Sequence, residues 1–60
     1  MTLKRWRERR GLTQEDLARK AKVHRVYLAQ IETQTKTPSL ATLERLAKAL
    51  KVKLADLLKE

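Results

Sequence analysis

Thr13-Gln-Glu-Asp-Leu-Ala-Arg-Lys-Ala-Lys-Val-His-Arg-Val-Tyr-Leu-Ala-Gln-Ile-Glu32 is the stretch that decides the fold. Thr13 is a good helix N-cap, and Asp16, three residues on, supplies the return partner of a capping box, shorter than the usual Glu. The helix begun there places Leu17, Ala18 and Ala21 on one side. A short turn around Lys22-Val23 leads into a second helix, about His24 to Glu32, with Leu28 and Ile31 facing inward. Those two residues lock the later helix onto the earlier one. Ala18 falls at the crossing, where only a small side chain lets two helices approach closely.

Outward from this pair the chain punctuates itself. Upstream, a helix from about Leu3 to Arg10 carries Leu3 and Trp6 on one side, and Gly11 stops it as the residue free to take positive φ. Downstream, residues 33–38 read as a polar loop closed by Pro38. Ser39 caps a further helix in which Leu40, Leu43, Leu46, Ala47 and Leu50 recur at helical spacing. Val52, Leu54, Leu57 and Leu58 make a short last helix that closes the core. No strand pattern, repeat or linker interrupts this order. The expectation is a single all-α domain over residues 1–60, a compact five-helix bundle.

Sixty residues bury only about 60% of the surface that the unfolded chain exposes, so the core is thin. With no Cys and one His (His24), neither thiol chemistry nor a zinc site of the usual kind is expected. One Ser, one His and one Gly leave no material for a Ser/His/Asp set or a Gly-rich phosphate loop. Glu15-Asp16, the one acidic pair worth weighing, sits where helix starts usually carry acids. The chain is therefore not expected to be an enzyme, to hold a cofactor or metal, or to take a small-molecule substrate. The longest apolar run is Val26 to Ala29, too short to span a bilayer, and no export signal is evident. A soluble, cytoplasmic protein associated with the nucleoid is expected.

The formal net charge is +8, from 15 Lys and Arg against 7 Asp and Glu. Residues 1–11 carry +4, residues 12–18 carry −2, residues 19–36 carry +4 and residues 37–60 carry +2. A basic balance concentrated on two segments points first to nucleic acid and second to an anionic membrane surface. A solubilising coat of Lys and Arg accounts for part of the excess. A cationic membrane binder would show one long helix with a continuous apolar stripe, whereas this chain is broken three times and has one Trp. RNA is the weaker nucleic-acid option, because Trp6 and Tyr27 are the only aromatic residues and Trp6 is expected to be buried.

The helix over residues 24–32 bears the function. With Leu28 and Ile31 inward, its other face carries Val26, Ala29, Gln30 and Thr33, flanked by Arg25 and Tyr27. Arg25 can donate bidentately to guanine, Gln30 can donate to and accept from adenine, and Val26 can touch a thymine methyl. The same face also reads as a scatter of surface residues, with Tyr27 lying back on the core edge. Taken alone, it supports both readings equally. Two short helices joined by a tight turn add helix-turn-helix geometry over about residues 14–32, which favours a helix made for the major groove.

The stretch from Leu12 to Ala21, then Val23 to Glu32, then Pro38-Ser39 and the Leu-rich helix after it, resembles the Cro/phage-repressor (XRE) helix-turn-helix family. The likeness runs from about Leu3 to Leu58. It implies a lambda-repressor-like five-helix fold that binds operator DNA as a transcriptional regulator, as a homodimer at least when on double-stranded DNA. It places Arg25, Val26 and Gln30 at base-reading positions. Gln14 then matches a family glutamine that meets the DNA backbone, and Tyr27, Thr33 and Lys36 fall where relatives touch phosphates. Arg7 and Glu32 match a family ion pair between the first and third helices. A protein-interaction or antitoxin-type module on the same fold, without operator binding of its own, is the alternative.

The family pattern is broken at five places. Glycine usually stands where this chain has Lys22, Gln34 and Lys51, and Ser or Thr commonly caps where it has His24 and Lys53. A left-handed non-glycine costs on the order of 1 kcal/mol, and so does a lost cap. Either the turns are rebuilt without positive φ, or Lys22 and His24, which flank the expected DNA surface, stand there to contact phosphates.

Overall fold

The computed structural model describes residues 3–58, which form five α-helices. They are α1 (Leu3–Arg9), α2 (Gln14–Ala21), α3 (Arg25–Glu32), α4 (Leu40–Leu50) and α5 (Leu54–Leu58). No strand occurs among the described residues. The core is built from Leu3, Leu17, Ala18, Ala21, Leu28, Ile31, Leu46, Ala47, Leu50 and Leu57. Helix α2 is its hub, packing on both α3 and α4, while α4 carries α5. Ala18 is buried, as a helix crossing on α2 requires. Among the described residues, no helix is long and apolar enough to cross a membrane.

The helix ends show how the sequence sets these boundaries. Thr13 has extended backbone and its Oγ1 accepts the Asp16 N–H at 3.0 Å, while Asp16 Oδ2 accepts the Thr13 N–H at 3.1 Å. Ser39 Oγ accepts the Thr42 N–H at 3.2 Å at the start of α4. Lys53 has no capping oxygen, and Asp56 replaces half of the device by accepting the Lys53 N–H at 3.3 Å. Four helices end in one pattern, in which two successive N–H groups return to carbonyls five and three residues back. Leu12 and Gly11 donate to Arg7 and Glu8, Val23 and Lys22 to Ala18 and Arg19. Thr35 and Gln34 donate to Gln30 and Ile31, and Val52 and Lys51 to Ala47 and Lys48. The pattern needs a left-handed residue, and Gly11, Lys22, Gln34 and Lys51 take φ of 71°, 58°, 62° and 58°. The turns are thus not rebuilt; three of the four carry the strain of a side chain.

Leu40 and Leu58 share the helical spacing of the core yet are 61% and 54% exposed, because they lie at helix ends beyond the reach of α2. Val52 precedes α5 and packs half-buried against the core from the turn. His24 stands just before α3 as its N-cap residue rather than inside the helix. Trp6 is half-buried, not buried. Its indole N–H donates to the Asp56 carbonyl at 3.4 Å, and the guanidinium groups of Arg9 and Arg10 lie 5.1 and 5.6 Å from its ring centre. Arg10 continues across to donate to the carbonyls of Leu50 and Lys51, satisfying the open end of α4.

Candidate nucleic-acid interface

Three helices meet at one carboxylate. Glu32, the last residue of α3, accepts from Arg7 Nε at 2.7 Å through Oε2 and from Arg7 Nη2 at 3.2 Å through Oε1. Gln14 Nε2, at the first position of α2, donates to the same Oε1 at 3.0 Å. Arg7 Nη1 also donates to the Leu12 carbonyl at 2.8 Å, which fixes the chain between α1 and α2. The side chains of Arg7 and Glu32 are only 10% and 2% exposed. A bidentate pair so enclosed, with its remaining lone pair used by an amide, is satisfied and directional. It holds the far end of α3 against α1 and α2.

With that end fixed and Leu28 and Ile31 buried, the rest of α3 turns outward. Arg25 is exposed and Val26 is 58% exposed, so a β-branched apolar side chain stands in solvent at the start of the helix. Ala29 and Gln30 are half-buried on the same helix, and Tyr27 packs its ring against the core edge. Arg25 and Gln14 line one shallow recess with Thr13 and Glu15, so the N-termini of α2 and α3 are neighbours. His24 is exposed and makes no side-chain cap bond, which leaves first-turn N–H groups of α3 without that partner. Lys22 is exposed beside it in the left-handed turn.

At the other end, Thr33 and Lys36 are exposed. The Thr33 hydroxyl lies 3.1 and 3.2 Å from the Ala29 and Gln30 carbonyls and 3.0 Å from the Thr35 hydroxyl. In the free chain its one proton helps close α3, and a contact to a phosphate would draw that proton from these carbonyls.

A family model described as helix-turn-helix matches residues 3–57. The chain belongs to the Cro/phage-repressor helix-turn-helix family. It is 46% identical over 54 residues to the immunity repressor protein of Bacillus phage phi105, covering 90% of this chain and 38% of that protein. It is 42% identical over 48 residues to the control protein C.BamHI of Bacillus amyloliquefaciens, covering 80% and 59% of the two. The chain thus spans less than two thirds of the length of either relative. Its fold is similar to that of the N-terminal DNA binding domain of SinR from Bacillus subtilis, with a TM-score of 0.89 and 36% identity over 97% of this chain and 86% of that one.

In this helix-turn-helix chain, α2 and α3 are the two helices of the motif, and the Lys22 turn joins them. The acidic start of α2 is electrostatically set. Hydrogen bonds from the Thr13 backbone and then its side chain hold the Asp16 carboxyl below its ordinary range against an opposing desolvation, with smaller help from Arg19 and Lys20. What sequence reasoning missed lies off α3. The cations of α2 and α4 come together only when the two helices pack, and spacing along either helix does not announce it.

Proposed function

We propose that this chain is a sequence-specific, double-stranded DNA-binding transcriptional regulator that lays α3 in the major groove. The observation that carries the reading is the contrast within α3: Val26 and Arg25 stand outward while Glu32 is clamped at 2.7 Å by Arg7. A rigid helix that presents Arg, an apolar branch and Gln is what base edges require. Arg25, Val26 and Gln30 read bases. Gln14, Lys22, His24, Tyr27, Thr33 and Lys36 lie around them to meet the backbone. For Gln14, the second hydrogen of Nε2 is the one left for a phosphate, since the first is given to Glu32. The names of the relatives, an immunity repressor and a control protein, support a regulatory role, and the SinR domain supports DNA as the ligand.

On DNA the chain acts as a homodimer on half-sites about one helical turn apart. Its place of work is the cytoplasm, on the nucleoid. Selection of bound duplexes from a random pool tests this directly. Enrichment of a two-fold repeated site, weakened by roughly 1–3 kcal/mol per reading residue lost in Arg25→Ala or Gln30→Ala, is expected. A pool that stays random after selection by the folded protein contradicts it, and the fold then serves a protein partner.

A further inference from the structure

A groove of about 500 Å³ runs between the end of α2 and the second half of α4. Lys20, Lys22, Arg45 and Lys48 surround it, and Ala21 and Ala49 form its floor. All four cations are exposed, and no carboxylate lines the groove. Three other cations are engaged: Arg7 on Glu32, Arg19 on Glu15 and Asp16, Arg10 on the Leu50 carbonyl and the Trp6 ring. Glu44, one turn before Lys48, is exposed and forms no ion pair with it. Here like charges gather around one depression whose lining holds no acid. Their mutual repulsion is relieved by an anionic guest.

The position of the groove says which guest. Its lining comes from α2 and α4 and includes no residue of α3. The groove is therefore open while α3 is occupied, apart from Lys22, which stands at the edge shared with the α2–α3 turn. Ala21 and Ala49 are the small apolar members of the lining, so the carboxylate side chains of an extended segment can reach the surrounding cations without displacing a duplex held by α3. We propose that this groove docks an acidic segment of a partner protein, with its carboxylates on Lys20, Arg45 and Lys48, while α3 remains free for DNA.

The test uses the 60-residue chain and a fluorescein-labelled peptide of consecutive Glu residues, with a Gln peptide of equal length as control, read by anisotropy at low ionic strength. Saturable one-to-one binding of the Glu peptide alone is expected. Arg45→Glu/Lys48→Glu weakens it roughly tenfold, as two exposed pairs of ordinary strength imply. Lys4→Glu/Arg5→Glu, an equal change of net charge on α1, weakens it clearly less. The Arg45→Glu/Lys48→Glu variant binds duplex DNA no more weakly than the Lys4→Glu/Arg5→Glu variant does. Equal loss of peptide binding in both variants overturns the proposal, because net charge alone then explains it. A selective loss of duplex binding in the Arg45→Glu/Lys48→Glu variant also overturns it, because the groove is then part of the DNA surface. Circular dichroism confirms that each variant is folded, and Arg45→Gln/Lys48→Gln replaces the reversal if that one is not. The DNA arm separates failure of this proposal from failure of the DNA-binding reading.

Discussion

The junction between α1 and α2 and the junction between α2 and α3 close their helices with the same pair of backbone hydrogen bonds, but with opposite local chemistry. The first has Gly11 at the left-handed position and a complete Thr13–Asp16 capping box. The second has Lys22 at the left-handed position and His24 before α3 with no side-chain cap bond. Each departure costs on the order of 1 kcal/mol, a sizeable amount for a chain of this size. The first junction is therefore built for stability. The second forgoes stability beside the exposed start of α3 and places two groups there that can meet phosphate. The turn after α4 sharpens the lesson, since Lys51 repeats the strain of Lys22 at a site the DNA reading does not use. Nothing in the structure explains Lys51.

The largest effect is expected at Glu32, which ties the first junction, through Arg7 and Gln14, to the far end of α3. Glu32→Ala leaves Arg7 enclosed without its counter-charge and Gln14 without its acceptor, and is expected to cost about 3–5 kcal/mol. An unchanged melting temperature removes the claim that the network holds α3. Next come the left-handed residues. Gly11→Ala meets no steric obstacle, as nothing lies within 4 Å of the added carbon, so φ alone sets its cost at about 1 kcal/mol. Lys22→Gly is expected to stabilise by about the same amount while weakening DNA binding. A Lys22→Gly protein that gains stability and keeps its DNA affinity shows that the turn's charge plays no part in the interface.

His24→Ser restores a capping oxygen and is expected to raise stability by up to about 1 kcal/mol in thermal melts. The smallest expected effect is on pH dependence at the first junction. Because the folded Asp16 carboxyl is held below its unfolded value, its contribution is fully present above about pH 4 and lost as the pH falls further. Asp16→Asn should flatten the fall in melting temperature between about pH 4 and pH 2. An identical acid profile in wild type and variant contradicts the capping-box account of Asp16.

Where local chemistry and packing agree, the sequence was legible. Thr13, Ser39 and Gly11 mark their boundaries because each provides the one group its position lacks, an oxygen or freedom at positive φ. Leu17, Leu28, Ile31, Leu46 and Leu50 repeat at helical spacing and are buried. Leu40 and Leu58 repeat at the same spacing and are exposed, because periodicity records a face and not whether another helix covers its end. Lys22 and Lys51 were legible only as a question, since the residue type disfavours the conformation that the surrounding hydrogen bonds impose. The Arg10 contact with the Leu50 carbonyl joins residues 40 positions apart, and no pattern along the chain signals it. For α3, spacing indicated the outward face, but the bond from Gln14 to Glu32 emerged only once three helices were in place.

The central claim is that phosphate contacts hold this chain on DNA while Arg25 and Gln30 are free to read it. The measurement that bears on it most directly is fluorescence anisotropy on random-sequence duplex DNA at several salt concentrations, for wild type and Arg25→Ala/Gln30→Ala. Log K is expected to fall with log salt by about 0.9 per phosphate contacted, with the slope kept in the double variant. No binding at low salt, by a protein that circular dichroism shows to be folded, contradicts it.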